Sequence, residues 1–126
     1  MGIGKVVHLE TPADNLEHAK KFYGTVFEWM MNEFPEMEYT IVRTVESDER
    51  GMPKQAGAIN GGMLAREDPV KAPVITIDVD DMDQAAEAIE RNGGKIIRGK
   101  MPVGDMGFAA YFKDTEGNVI GLWQNA

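Results

Sequence analysis

Apolar and polar residues alternate through "KVVHLET" near the start of the chain, the pattern of a strand that buries one face. The interval lengthens in "ADNLEHAKKFYGTVFEW", where Leu16, Ala19, Tyr23 and Val26 recur at helical spacing. This predicts an amphipathic helix capped by Asp14 or Asn15 and ending between Gly24 and Glu28. Strands are predicted over 29–33, 38–45 and 58–65, with the polar "ESDERGMPKQ" as an exposed loop between the last two. The pattern then restarts. "APVITIDVDDMDQAAEAIERNGGKII" gives a strand, an Asp cap, a helix with Met82, Ala85, Ala86 and Ile89 on one face, a Gly-Gly stop and another strand. "GFAAYFKD" and "GNVIGLWQ" close as a hairpin around "DTEGN", where Gly117 supplies the positive φ of the turn. Gly121 is anomalous, because a glycine inside a strand marks a bulge or a close approach by another group.

The restart is a repeat in register. An offset of 66 superposes Asp14 on Asp80, Leu16 on Met82, Ala19 on Ala85 and Tyr23 on Ile89. An offset of 59 superposes Gly62-Met63-Leu64 on Gly121-Leu122-Trp123, the difference being the longer loop of the first half. The chain therefore reads as one domain of two βαβββ modules, at about 5–66 and 73–124, of the α+β class.

Composition narrows the function classes. With 126 residues and 43% hydrophobic content, the chain can bury roughly two thirds of its unfolded surface as a single domain. Thirteen Lys and Arg against twenty-one Asp and Glu give a net charge of −8 without a basic patch, which disfavours a nucleic-acid partner. There is no cysteine, so thiolate chemistry is excluded. No apolar run is long enough for a membrane span, and "MGIGKVVHLE" lacks the basic-then-apolar layout of a signal peptide, so a soluble cytoplasmic protein is expected. No serine or cysteine nucleophile stands in a recognisable motif, and the "NGG" stretches at 60–62 and 92–94 lack the context of a phosphate loop.

The segments "VHLETPADNLEHAKKFYGTVFEW", "VDDMDQAAEAIERNGGKI" and "YFKDTEGNVIGLWQ" resemble the vicinal-oxygen-chelate superfamily, which includes glyoxalase I, bleomycin-resistance proteins and extradiol dioxygenases. The resemblance implies paired βαβββ modules forming a half-open barrel whose concave side holds the ligand, and a homodimer. It also implies, for the enzymes, a metal held by residues on the first and last strands of each module. Those four positions carry His8, Val74, Gly62 and Gly121 here, and only the first can bind a metal. A catalytic divalent site needs about three protein ligands, so no metal and no other cofactor is expected. The alternative is an irregular site built on His8 and Glu10.

Alternation around the two glycines places His8, Glu10, Asn60, Leu64, Val74, Thr76, Val119 and Trp123 on the inward face. Val7, Leu9, Met63, Ile75, Ile77, Ile120 and Leu122 fall on the face toward the helices. The candidate ligand-binding residues are therefore His8, Glu10, Asn60, Gly62, Thr76, Gly121 and Trp123, polar groups among apolar walls as small-molecule sites have. Each has a structural alternative: a hydrogen-bonded core histidine, a solvated glutamate, a packing tryptophan, glycines at bulges. His18 reads as a surface residue, the methionines as adaptable filler, and "GKMPVGDMG" at 99–107 as either a flap or an ordinary connection. The expected partner is a small organic molecule, bound without metal, with a lyase or isomerase activity possible. A metal-dependent glyoxalase- or dioxygenase-type enzyme and a dimeric scaffold with a filled cup are the alternatives.

Overall fold

The computed structural model describes residues 3–126, and the chain divides into two compact units. One unit is residues 8–73, and the other joins residues 74–126 to the stretch that ends at Val7.

In the first unit, strand β1 (Lys5–Ala13) leads into helix α1 (Leu16–Phe27). Of the two capping candidates, Asn15 takes the role, its side-chain oxygen accepting the His18 amide at 3.0 Å. Such a cap contributes about 1 kcal/mol. The helix ends where Glu28 turns into the left-handed region at φ 60°, and Trp29 then stacks on Tyr23 with ring centroids 4.7 Å apart. Strands β2 (Met30–Phe34), β3 (Tyr39–Arg43) and β4 (Gly61–Ala65) follow, with a short 3-10 turn at Pro35–Met37. Strands β2 and β3, and β3 and β4, are antiparallel, whereas β4 runs parallel to β1, giving the order β2-β3-β4-β1. Two strands are shorter than the pattern predicts. The Asn60 side-chain oxygen accepts the amides of Thr44 and Val45 and the Thr44 hydroxyl, which takes residues 44 and 45 out of the ladder, and the Ala58 amide turns back onto the Gln55 carbonyl before β4.

The second unit repeats this order. Strand β5 (Val74–Asp78), helix α2 (Met82–Arg91), and strands β6 (Lys95–Val103), β7 (Gly107–Lys113) and β8 (Val119–Asn125) form a sheet in the order β6-β7-β8-β5, with β5 and β8 parallel. Asp81 caps α2 by accepting the Gln84 amide at 3.1 Å. Gly93 ends the helix at φ +96°, and the Gly94 amide closes onto the Ile89 carbonyl. In the β7–β8 turn Asp114 accepts the amides of Glu116 and Asn118, with Gly117 at φ +83°. Hydrogen bonds from Asn118 foremost hold the Asp114 carboxyl below its ordinary value. Residues 99–107 are no flap: β6 runs through most of them and pairs with β7, with register shifts beside Arg98.

Both sheets are two-faced as alternation requires. In the second unit Ile77, Ile120 and Leu122 pack with Met82, Ala85 and Phe112 against α2. In the first, Met63 is fully buried with Val42 and Val70. Leu9 and Ile75, expected beneath the helices, remain 36% and 41% exposed. The reason is where the helices rest: α1 packs chiefly on β2 and β4, and α2 on β6 and β8. In the second module α2 reaches Ile77 near the end of β5 and leaves Ile75 exposed.

Candidate functional site

The row of paired residues Glu10, Gly62, Ile41 and Asn32 crosses all four strands of the first unit. Around it, on the same strand face, stand His8, Tyr39, Arg43 and Leu64, because residues two apart on a strand share a face.

Tyr39 lies at one end of β3, and its ring leans along the strand to cover Gly62. A Cβ built on Gly62 would lie 1.9 Å from the Tyr39 Oη, 2.1 Å from Cζ and 2.2 Å from Cε2. The absent side chain of Gly62 is thus the space the tyrosine occupies. Gly61 is small for a separate reason: its Cβ would fall 2.0 Å from the Leu9 carbonyl oxygen in the adjoining β1.

The Tyr39 hydroxyl joins the two polar residues of β1. It donates to Glu10 Oε2 at 2.8 Å and accepts from His8 Nε2 at 2.7 Å. A carboxylate only accepts, so the single phenolic proton goes to Glu10, and the imidazole carries its own proton on Nε2. His8 Nδ1 then holds a lone pair and has no hydrogen-bond partner among the described residues. No buried side-chain nitrogen or oxygen among those residues lacks a partner, so Nδ1 is open to solvent. Burial lowers the His8 pKa from its ordinary 6.5, and the charge of Glu10 opposes this only in part. Desolvation dominates because the imidazolium loses its hydration, while the carboxylate acts on it through the intervening tyrosine. Glu10 itself is only 7% exposed.

The remaining candidates have other surroundings. Asn60 clips the 44–47 loop, its amide nitrogen donating to the Ser47 hydroxyl at 3.2 Å. Thr76 is buried beside Gly121, where a Cβ would meet the Thr76 Oγ1 at 2.8 Å. Trp123 donates from Nε1 to Asn125 at 2.9 Å and covers Gly107, where a Cβ would lie 2.7 Å from its Cζ2. His18 is exposed on α1. Sequence reasoning paired His8 directly with Glu10 and missed Tyr39 between them. The available signal was an aromatic residue one pleat diagonal to a strand glycine, an arrangement in which the ring covers the bare backbone.

The donor set does not match a metal centre of the kind the resemblance implies. Gly62, Gly121 and Val74 offer no donor atom, and the Tyr39 ring fills the volume that a side chain at position 62 would use. Among the described residues no three His, Cys, Asp or Glu side chains converge to hold an ion. What the arrangement can do is present a fixed, neutral-favouring imidazole and a buried carboxylate, coupled through a phenol, to a molecule lying on this strand face.

Known proteins resemble the chain in sequence over its first strands and in fold over nearly its whole length. A model of the bleomycin resistance protein-like N-terminal region matches residues 5–44. A glyoxylase-like domain-containing protein of Didymella fabae is 28% identical over 120 residues, 91% of this chain and 89% of that one. Among solved structures, a methylmalonyl-CoA epimerase of Streptomyces coelicolor in complex with 2-nitronate-propionyl-CoA superposes with a TM-score of 0.68 at 14% identity, over 99% of this chain and 99% of that one. A glyoxalase/bleomycin resistance protein/dioxygenase superfamily member from Vibrio splendidus 12B01 gives 0.64 at 13% identity, covering 98% of this chain and 100% of that one. Identities this low carry the fold alone. The repeated βαβββ order and these likenesses agree on the fold, which is that of the glyoxalase/bleomycin resistance protein/dioxygenase proteins to which the chain is similar.

Proposed function

We infer that the protein is a metal-independent member of this superfamily that binds a small, partly apolar organic molecule on the strand face of residues 8–73. The observation that carries the reading is the Tyr39 ring over Gly62, which exchanges a ligand-donating position for a hydrogen-bonded chain of His8, Tyr39 and Glu10. The half-buried Ile41 and Leu64 offer apolar contact beside that chain, and His8 Nδ1 offers an acceptor to a ligand hydroxyl or amide. Should the ligand be turned over by an isomerase or lyase reaction, the same nitrogen is the available proton acceptor. Of the other sequence candidates, Thr76, Gly121 and Trp123 are proposed as a second contact face and Asn60 as a brace of the 44–47 loop. A homodimer in the cytoplasm belongs to the same proposal; no described helix is long and apolar enough to cross a membrane.

A second reading is a scaffold whose ligand positions are filled by its own side chains. It is supported by Tyr39 over Gly62 and Thr76 over Gly121. A thermal-shift screen of small organic molecules separates the two, because a ligand at a hundred times its dissociation constant adds roughly 2.7 kcal/mol. Hits weakened by Tyr39→Phe support binding, and a broad library without hits supports the scaffold. Elemental analysis of protein purified without added metal tests the other half of the proposal. Stoichiometric metal that disappears on His8→Ala would overturn metal independence.

A further inference from the structure

The geometry points to Arg43 as the anchor for a carboxylate, and so to a small organic acid as the class of ligand; this rests on the binding reading above. Arg43 ends β3 on the same face as Tyr39 and Ile41, and it leans back along the strand so that Nη1 donates to Asn32 Oδ1 at 2.9 Å. Tyr39 leans the opposite way. The two polar heads therefore converge on one row of the sheet, the hydroxyl over Gly62 and the guanidinium at Asn32, with Ile41 between them. Two strand spacings separate these positions, roughly 10 Å. A molecule spanning them meets an anion-binding head, an aliphatic middle and a hydrogen-bonding end in that order.

Arg43 is half-buried as a residue, its guanidinium makes no ion pair among the described residues, and one neutral amide oxygen at an exposed contact leaves most of its N–H donors unused. It also lines an open concavity of about 570 Å³ with Met30, Glu46, Asp48, Glu49 and Lys54. The carboxylates of that wall have their own partners: Glu46 faces Lys54 at 3.7 Å, and Asp48 accepts the amides of Arg50 and Met52. Glu49 is exposed, where water screens it. One unpaired cation beside acidic side chains suits a monoanion and opposes a dianionic phosphate. The planar fork of arginine matches a carboxylate with two parallel hydrogen bonds.

The test compares ω-hydroxyhexanoate with hexanediol, which differ only in the carboxylate, by isothermal titration at low salt on wild type, Arg43→Gln and Arg43→Lys. Wild type should bind the acid at least about tenfold more tightly than the diol, the effect of one charge-assisted pair. Arg43→Gln should remove that preference, while Arg43→Lys should keep part of it. Urea denaturation of each variant checks that the fold survives. Equal binding of acid and diol by wild type would overturn the carboxylate assignment while leaving the binding function standing. Binding of neither, with no hit in the wider screen, would remove the binding function and this inference with it.

Discussion

Replacing Gly62 with alanine tests the central contact of the site. The three nearest atoms to the new Cβ all belong to Tyr39, at 1.9, 2.1 and 2.2 Å, far inside van der Waals contact. The backbone of β4 is held on both sides by β1 and β3, so the ring must move. Swinging it away breaks the bonds to His8 Nε2 and Glu10 Oε2 and strips a buried carboxylate of a partner. Loss of a hydrogen bond to a buried polar group costs about 1–3 kcal/mol, and overpacking a similar amount, so Gly62→Ala should destabilise by about 2–6 kcal/mol. In a Tyr39→Ala background the obstructing atoms are gone, and alanine outranks glycine in a strand, so the same change should cost under about 0.5 kcal/mol. Urea unfolding of the four proteins completes a double-mutant cycle with a coupling energy of about 1.5–6 kcal/mol. Equal costs of Gly62→Ala in the two backgrounds would refute the reasoning, since the glycine would then serve something other than the tyrosine.

Gly61→Ala should be the harsher change and should gain nothing from Tyr39→Ala, because its obstruction is the Leu9 carbonyl 2.0 Å away, a backbone atom that cannot swing aside; rescue by Tyr39→Ala in the same unfolding assay would contradict this. Stability should also depend on pH through His8. Well above pH 6.5 the imidazole is neutral in both folded and unfolded chains and contributes no slope. As pH falls through 6.5 the unfolded chain takes the proton first, so stability declines by at most about 1.4 kcal/mol per pH unit until the lowered folded value is passed. His8→Gln should abolish that limb in the difference between the two proteins, and parallel curves from pH 7.5 to 5.5 would count against it. Asn60→Ala should cost about 1–3 kcal/mol by releasing the amides of Thr44 and Val45, with faster amide exchange at those two residues as the local signature.

The legible parts of this protein were those written in short windows. The helical stripe through Met82 and Ala85 and the Gly117 turn each depend on a few neighbouring residues and are found where the pattern puts them, while each helix cap is narrowed to adjacent residues and the structure selects Asn15 and Asp81. The strand end differs from the pattern at 44–45 because a single side chain, Asn60, takes those two amides across sixteen or so positions of sequence. Leu9 and Ile75 were expected in the core because alternation assigns a face but does not say how far a helix extends over it.

By itself, then, the sequence determined the repeated βαβββ order, the approximate extent of the two helices and the absence of side-chain donor atoms at positions 62, 74 and 121. Only the tertiary structure decided what stands where those donors would be. That answer depends on the register of β3 against β4, on strands joined by a long loop, and on the direction in which two side chains lean across it. Periodicity carries no information about either, because register is set by packing between segments and side-chain lean by the space a neighbour leaves empty.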